Sequence, residues 1–175
     1  MDLKDQLAVV TGAASGIGRA TAHALGAQGA HVVVADIDRE GGEKTVAALR
    51  EHGAKAEYLP VDMTDAASIA AFADTTHARN HAVDVLVNGA GWGRTAPFWE
   101  GTPEFWQKLI ALNLVGPMTL AKALLPKMIE RKQGRIVNIA SDAGRVGSLG
   151  ETVYSAAKGG LIAFTKSLAR ETARY

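Results

Sequence analysis

Five short apolar runs alternate with longer amphipathic stretches along this chain of 175 residues. The runs, which we predict to be strands, are residues 7–10, 31–35, 56–61, 83–87 and 135–140. Short continuous apolar runs are typical of strands buried on both faces of a parallel sheet, and helical crossovers then cover both faces. The chain is therefore predicted to be an α/β protein with a doubly wound parallel sheet, forming one domain over residues 1–175.

The fourth crossover is predicted to be unusually long. A helix should begin at Pro103, with Thr102 as its N-cap, and continue to about Arg131. Pro117 and Pro126 lie inside it. Because proline lacks the main-chain N–H and clashes with the preceding turn, we expect the helix to kink at both.

Composition excludes several classes of function. Lys and Arg total 19 and Asp and Glu total 18, so no basic surface for nucleic acid is predicted. The chain has no cysteine, which excludes disulfides and thiolate metal sites and is compatible with a reducing compartment. No basic-then-apolar leader is evident, and no apolar stretch approaches the length needed to span a bilayer. We expect a cytoplasmic protein with neither a nucleic-acid nor a membrane partner.

A metal site is not expected either. Among the five histidines only His77 and His81 have a helical spacing that could hold an ion, and no acidic third ligand accompanies them. Solvated residues at a helix end are the better interpretation.

The loop after the first strand is rich in glycine. Gly12, Gly16 and Gly18 form a Gly-x-x-x-Gly-x-Gly pattern between a strand and a helix. Glycine lets the backbone approach a phosphate closely, and the helix start offers free N–H groups at a positive dipole end. In this context the pattern predicts a dinucleotide cradle in a Rossmann-type sheet, with Ser15 and Ile17 as further cofactor contacts. A glycine-rich turn without a ligand is the alternative.

Asp36 bears on the identity of the dinucleotide. It ends the second strand, 18 residues after the last glycine of the loop. A carboxylate there accepts hydrogen bonds from the ribose hydroxyls of NAD and repels the 2′-phosphate of NADP. Ala14 and Ser15 are neutral, so NAD is favoured over NADP, although the nearby Arg39 leaves NADP open. The alternative for Asp36 is a solvated acid without a ligand.

Tyr154 and Lys158 form a possible acid/base pair. They are four residues apart and therefore share one face of a helix. An ammonium beside a phenol stabilises the phenolate, which lets the phenol exchange a proton with an alcohol or carbonyl. Ser141, which follows the fifth strand, could donate a hydrogen bond to the same substrate oxygen. Alone, Tyr-x-x-x-Lys is usually a surface pair; downstream of the glycine loop it indicates hydride transfer.

Taken together and in order, these motifs resemble those of the short-chain dehydrogenase/reductase family. The resemblance extends from about residue 7 to residue 175, which is essentially the whole chain. The matching positions are the glycine loop, Asp62, Asn88-Gly89-Ala90-Gly91, Asn113, Ser141 and Tyr154-x-x-x-Lys158.

The resemblance implies roles for four residues in catalysis. Tyr154 would be the general acid/base and Ser141 would orient the substrate oxygen. Lys158 would stabilise the phenolate and, with Tyr154, contact the nicotinamide ribose. Asn113 would support a water-linked proton path.

It also implies the rest of the cofactor site. Asp62 would hold the adenine through its amino group, with Met63 beside it. Asn88, Ala90 and Gly91 would line the cleft.

The implied reaction interconverts a small secondary alcohol and a ketone with NAD. Residues 140–147, together with the earlier Asn88-x-Ala90-Gly91-Trp92, are similar to the corresponding segments of dehydrogenases of cyclic 2-hydroxyacyl-CoA esters and of 3-oxoacyl-carrier-protein reductases. A non-catalytic dinucleotide-binding protein is the alternative from another class. The family resemblance also implies a homo-tetramer or homo-dimer, built partly on the long helix and the Tyr154 helix.

The aromatic segment at residues 92–99 has two interpretations. It could favour an apolar or cyclic substrate, or it could pack with Phe105 and Trp106. Arg94 and Arg145 could meet an anionic carrier, or remain solvated.

Two departures from the family pattern stand out. Gly89 replaces a usual asparagine, which predicts weaker anchoring of the fourth strand. The family domain also continues with further strands and a substrate loop, so this chain is expected to be C-terminally truncated.

Overall fold

The structure, a computed structural model, describes residues 3–80 and 82–175. Its strands are parallel and lie in the order β3-β2-β1-β4-β5. They are β1 (Leu7–Thr11), β2 (His31–Asp36), β3 (Ala56–Pro60), β4 (Val85–Asn88) and β5 (Arg135–Asn138). Because the chain moves from β1 outward to β3 and then returns to the other side of β1, the strand order reverses between β1 and β4. Such a reversal opens a crevice at the carboxyl ends of the strands, where ligands bind in sheets of this type.

Helices cover both faces of the sheet. They are α1 (Gly16–Ala27), α2 (Arg39–Glu51), α3 (Ala66–Asn80), α4 (Pro103–Ile110), α5 (Gly116–Arg131), α6 (Ala143–Val146) and α7 (Thr152–Thr172). Along β1, Val9 belongs to a core layer with α3 and α5, whereas Val10 belongs to the layer with α1 and α2. The predicted α/β fold with helices on both faces is confirmed.

Where the sequence predicted one long kinked helix, the structure has a π-helical turn, Ala111–Val115, between α4 and α5. Pro117 then falls in the first turn of α5, where a missing N–H costs little. Pro126 remains inside α5. The wider turn changes the helical register before Pro117, and π-turns of this kind often occur at functional sites. Asn113 lies within this turn.

The helical path Pro103–Arg131 is long and apolar enough to cross a membrane, with a mean hydropathy of 1.5 in its 18-residue window. The prediction that no apolar stretch approaches that length is therefore wrong. Its apolar residues nevertheless have partners in this fold, since Leu120, Ala121 and Leu124 are buried in the core layer against the sheet.

Two predictions are not tested by the structure. His81 is outside the described residues, so the proposed histidine pair cannot be placed as a pair. β5 is an edge strand whose alternate residues are exposed, Val137 by 46%. The continuation of the sheet beyond β5 stays a prediction.

Candidate active site

Polar residues collect at the carboxyl ends of all five strands. Thr11, Asp36 and Asn88 end β1, β2 and β4, while Asp62 and Ser141 follow β3 and β5. The parallel topology therefore brings the motifs of the whole sequence to one edge.

The glycine loop is packed against the end of β4. Gly12 has a φ of +69°, and a Cβ atom there would lie 2.8 Å from the main chain of Ala90. A Cβ on Gly18 would overlap the Gly12 carbonyl. Gly16, with a φ of +50°, faces open space, and its neighbours Ser15 and Ile17 are exposed. One side of the loop is thus closed by protein, and the other is free for a ligand to approach.

Thr11 opens the glycine motif, but the sequence analysis assigned it no role. Its hydroxyl accepts hydrogen bonds from the N–H groups of Gly89 and Ala90, each at 3.1 Å. A Cβ on Gly89 would lie only 2.7 Å from the Thr11 carbonyl oxygen. Gly89 therefore allows the end of β4 to approach Thr11 closely. The sequence analysis considered only the asparagine side chain that Gly89 lacks, and so it did not suggest this anchoring.

Asp36 is oriented by the main chain around it. Its two carboxylate oxygens accept hydrogen bonds from the N–H groups of Ala14 (2.9 Å) and Asp38 (3.0 Å). Arg39 is engaged elsewhere: its guanidinium pairs with Glu43 at 3.1 Å and lies 5.7 Å from the centre of the Tyr58 ring.

A cleft of about 260 Å³ lies beyond the ends of β2 and β3. Its lining includes Asp36, Asp62 and Met63, together with Ile37 and Lys108, which the sequence analysis did not select.

Asp62 is held by a local turn at this cleft. One carboxylate oxygen accepts hydrogen bonds from both the N–H (2.8 Å) and the hydroxyl (2.7 Å) of Thr64.

Asn88 connects the sheet to α7. It is buried, and its amide donates to Asn138 at 2.8 Å, whose own amide donates to Thr165 at 2.8 Å. Asn138 was missed because only the pairing of β4 with β5 brings it opposite Asn88. The end of β4 and the helix that carries Tyr154 are thereby linked.

Asn113 is completely buried in the π-helical turn. Its amide nitrogen donates to the carbonyl groups of Trp92 (2.8 Å) and Leu109 (3.0 Å). Its Oδ1 atom is buried and has no hydrogen-bond partner among residues 3–80 and 82–175. A buried amide oxygen of this kind is usually satisfied by an ordered water or a ligand.

Lys158 is 4% exposed, and its Nζ donates to the Ile139 carbonyl at 2.8 Å. Burial lowers the pKa of its ammonium below the ordinary value, because the charged form loses hydration. Nζ lies 5.7 Å from the centre of the Tyr154 ring. A Cβ on Gly91 would lie 3.4 Å from Nζ and 2.9 Å from the Asn113 oxygen, so both polar atoms face Gly91.

Tyr154 lies in the first turn of α7, and Ser141 follows β5. The ring of Tyr154 is closely packed, since a Cβ on Gly93 would lie 3.2 Å from its Cδ2 atom. The Ser141 hydroxyl accepts a hydrogen bond from the Ala143 N–H at 3.2 Å. The Trp92–Gly93 segment, held by Asn113, thus forms one wall beside Tyr154.

The aromatic residues near this wall pack on one another. Trp92 meets Phe105 edge-on at 5.8 Å, and Phe98 stacks on Trp106 at 4.9 Å. Arg94 lies 4.7 Å from the centre of the Phe105 ring. The packing interpretation therefore accounts for these aromatic contacts.

Arg145 forms an exposed pair with Asp142 at 3.5 Å. Within the part of the chain that the structure describes, no three His, Asp or Glu side chains are grouped to hold a metal ion.

Comparison with known proteins identifies the family. The sequence model of the family described as short chain dehydrogenase matches residues 6–175. The chain belongs to the short-chain dehydrogenase family. This short-chain dehydrogenase is 40% identical over 174 residues to the 3-oxoacyl-[acyl-carrier-protein] reductase FabG of Vibrio harveyi, with 99% of this chain and 70% of that protein covered. It is 38% identical over 173 residues to the Bacillus subtilis oxidoreductase YxbG, with 98% and 63% covered.

Solved structures are similar to this chain both in fold and in sequence. A metagenomic short-chain oxidoreductase in complex with NADP matches with a TM-score of 0.96 at 40% identity, covering 98% of this chain and 78% of that one. A putative short-chain alcohol dehydrogenase from Sinorhizobium meliloti matches with a TM-score of 0.94 at 34% identity, covering 99% and 69%. The short-chain dehydrogenase described here spans 63% of the length of YxbG and 70% of the length of FabG.

Proposed function

We propose that the protein interconverts a secondary alcohol and a ketone, with NAD(P) as the hydride carrier. One observation carries the proposal: buried Lys158 lies beside the Tyr154 ring, and its Nζ and the unsatisfied Asn113 oxygen face Gly91 together. A buried ammonium beside a phenol, with a polar atom able to hold a water next to it, suits proton transfer.

The residues at the carboxyl edge fit a dinucleotide. Open space at Gly16 and the start of α1 suit a pyrophosphate, and Asp36 and Asp62 border a cleft for the adenosine half. Ser15 is the N-cap of α1, and Ile17 and Gly18 lie in its first turn. Met63, Asn88, Ala90 and Gly91 would line the remaining cleft, and Tyr154 and Lys158 would meet the nicotinamide ribose.

When bound, the nicotinamide supplies the hydride acceptor or donor. The Tyr154 phenolate takes the proton of the alcohol, and in the reverse direction the Tyr154 phenol gives this proton to the ketone oxygen. The Ser141 hydroxyl donates a hydrogen bond to that oxygen and so orients it. Lys158 stabilises the phenolate, and Asn113 holds a water that connects Lys158 to solvent.

Within this proposal we favour NAD as the cofactor. The Asp36 carboxylate at the end of β2 would repel a 2′-phosphate, and the Arg39 guanidinium pairs with Glu43. Because a relative of 40% identity was crystallised with NADP, both cofactors must be compared.

The substrate proposal is a small ketone or alcohol, with a cyclic hydroxyacyl-CoA as one form. The second candidate is reduction of a 3-oxoacyl carrier-protein thioester, which the name of the Vibrio harveyi relative supports. We further propose cytoplasmic action, because the reaction draws on a soluble dinucleotide. Exposed Ile110, Val115 and Met118 on the long helical path support a homo-dimer or homo-tetramer.

Tyr154→Phe in the full-length protein tests the function, with Tyr175→Phe as the matched control. Loss of a general acid/base should lower kcat by about 10² to 10⁴-fold. NADH affinity, followed by fluorescence titration, should stay within about twofold, because the phenol ring remains in place. Normal turnover by Tyr154→Phe would exclude the assigned role. NADH binding without turnover by the unmodified protein, across alcohols, ketones and thioesters, would favour a non-catalytic dinucleotide-binding protein.

A further inference from the structure

Ser141 and Gly144 belong to one tight turn. The Ser141 carbonyl accepts the Gly144 N–H at 3.0 Å, and the Ser141 hydroxyl accepts the Ala143 N–H at 3.2 Å. The turn continues directly into α6, the single helical turn Ala143–Val146. Any displacement of Gly144 is therefore transmitted to Ser141.

Gly144 packs on the backbone of α7. A Cβ atom on Gly144 would lie 2.6 Å from the carbonyl carbon of Lys158 and 2.7 Å from the nitrogen of Gly159. These are main-chain atoms inside a helix, so they cannot rotate away as a side chain could. In the reciprocal direction, a Cβ on Gly159 would lie 3.1 Å from the Gly144 carbonyl oxygen.

Backbone conformation does not explain this glycine. Gly147 and Gly150, in the loop after α6, have φ values of +81° and +74°, which favour glycine. The φ angle of Gly144 is not positive. Gly144 lies within a helix, where alanine is more favourable than glycine. The same holds for Gly159 in α7. What both positions require is the close approach of two backbones.

We propose that Gly144 is a positioning residue that sets the separation between the hydroxyl groups of Ser141 and Tyr154. The inference rests on the proposed function, in which both hydroxyls meet one substrate oxygen. Tyr154 precedes Lys158 by one helical turn of α7, so the Gly144–Lys158 contact fixes the Ser141 turn against the helix that carries the acid/base pair. A methyl group at residue 144 forces the two elements apart.

The test compares Gly144→Ala and Gly159→Ala in the full-length protein, with Val146→Ala as the control. Val146 ends the same helical turn and is 75% exposed. A displacement of about 1 Å at reacting groups can cost roughly 10²-fold in rate. We expect kcat to fall by about 10 to 100-fold in Gly144→Ala, less in Gly159→Ala, and not in Val146→Ala. The NADH dissociation constant should change less than kcat, because most of the proposed cofactor contacts, such as the glycine loop and Asp36, belong to other segments.

A double-mutant cycle with Ser141→Ala separates positioning from general damage. Once the serine hydroxyl is removed, Gly144→Ala should cause little further loss of kcat, because its effect acts through that hydroxyl. Additive losses, or an unchanged kcat in Gly144→Ala, would overturn the inference.

Two outcomes keep the proposals distinct. If Gly144→Ala does not fold, as judged by its thermal unfolding, Gly159→Ala carries the same cycle. An unmodified protein that binds NADH but never turns over would instead refute the proposed function.

Discussion

The carboxylate of Asp36 accepts a hydrogen bond from the N–H of Ala14 at 2.9 Å, so one acidic group connects the end of β2 to the glycine loop. The Tyr58 hydroxyl strengthens this arrangement by donating a hydrogen bond to the main-chain carbonyl of Asp36 at 2.9 Å. The group proposed to meet the ribose therefore also orders the loop proposed to meet the phosphates. Cofactor preference and loop order should be separable by substitution.

We predict that Asp36→Asn and Asp36→Ala both shift preference toward NADP. A hydrogen bond to a charged group contributes about 1.5 to 3 kcal/mol, so the ratio of kcat/KM for NAD to that for NADP should fall at least about tenfold. The asparagine oxygen can still accept the Ala14 N–H, while its amide nitrogen cannot accept the Asp38 N–H, so Asp36→Asn should lose less thermal stability than Asp36→Ala. Steady-state kinetics with both cofactors and thermal melts measure the two effects. An unchanged cofactor ratio would count against the ribose contact.

Asn113 gives a second prediction, because its two ends have different partners. Asn113→Leu removes the donor to the Trp92 and Leu109 carbonyls and the oxygen that, like the Lys158 Nζ, faces Gly91. Losing two hydrogen bonds should cost about 1 to 3 kcal/mol in the free energy of unfolding. We expect kcat to fall by more than about tenfold with NADH affinity preserved, because proton exchange with solvent loses its anchored water.

Thr76→Val is the control for Asn113→Leu, since it removes a buried side-chain hydrogen bond on α3, outside the proposed site. It should lower stability as well, with a smaller effect on kcat. Full turnover by Asn113→Leu would remove Asn113 from the proton path.

The fold could be predicted because its signals are local. Apolar runs such as residues 31–35 and the glycine loop are readable over a few residues, and the parallel topology then determines that strand ends meet. Contacts between distant segments were not readable in the same way. The Thr11 hydroxyl reaches Gly89 only after β1 and β4 pair, and Asn138 meets Asn88 only through register. The π-helical turn around Asn113 was not readable either, because the apolar periodicity of residues 103–131 gives no sign of it.

A third prediction concerns stability remote from the site. One Asp84 oxygen accepts the Leu7 N–H at 2.8 Å and the other pairs with Arg131 at 2.9 Å, while Arg131 also donates to the Val83 carbonyl. Asp84→Ala leaves a main-chain donor and a guanidinium without their acceptor. We expect it to lower the free energy of unfolding by about 2 to 3 kcal/mol, and Arg131→Ala by about 1 kcal/mol.

Lys44→Ala is the matched control for this ion pair. Lys44 pairs with Glu40 on the surface of α2, with both side chains more than two-thirds exposed, so its loss should cost less than about 0.5 kcal/mol. Denaturant unfolding measures all three variants, and kcat should be unchanged in each. Equal losses of unfolding free energy in Asp84→Ala and Lys44→Ala would show that the Asp84–Arg131 pair stabilises the protein no more than an exposed surface pair does.

The last prediction concerns acid stability and His77 on α3. Burial lowers the pKa of His77 from its ordinary value of 6.5, and the charge of Lys127 lowers it further, against the opposing effect of Asp74. Its Nε2 is shielded and has no hydrogen-bond partner among the described residues. As the pH falls below about 6.5, the unfolded chain takes up this proton before the folded chain does, so stability falls. His77→Leu removes this proton uptake, and its melting temperature should therefore decline less between pH 7 and pH 5 than that of the unmodified protein. A His77→Leu variant with the full acid-dependent decline would contradict the assignment.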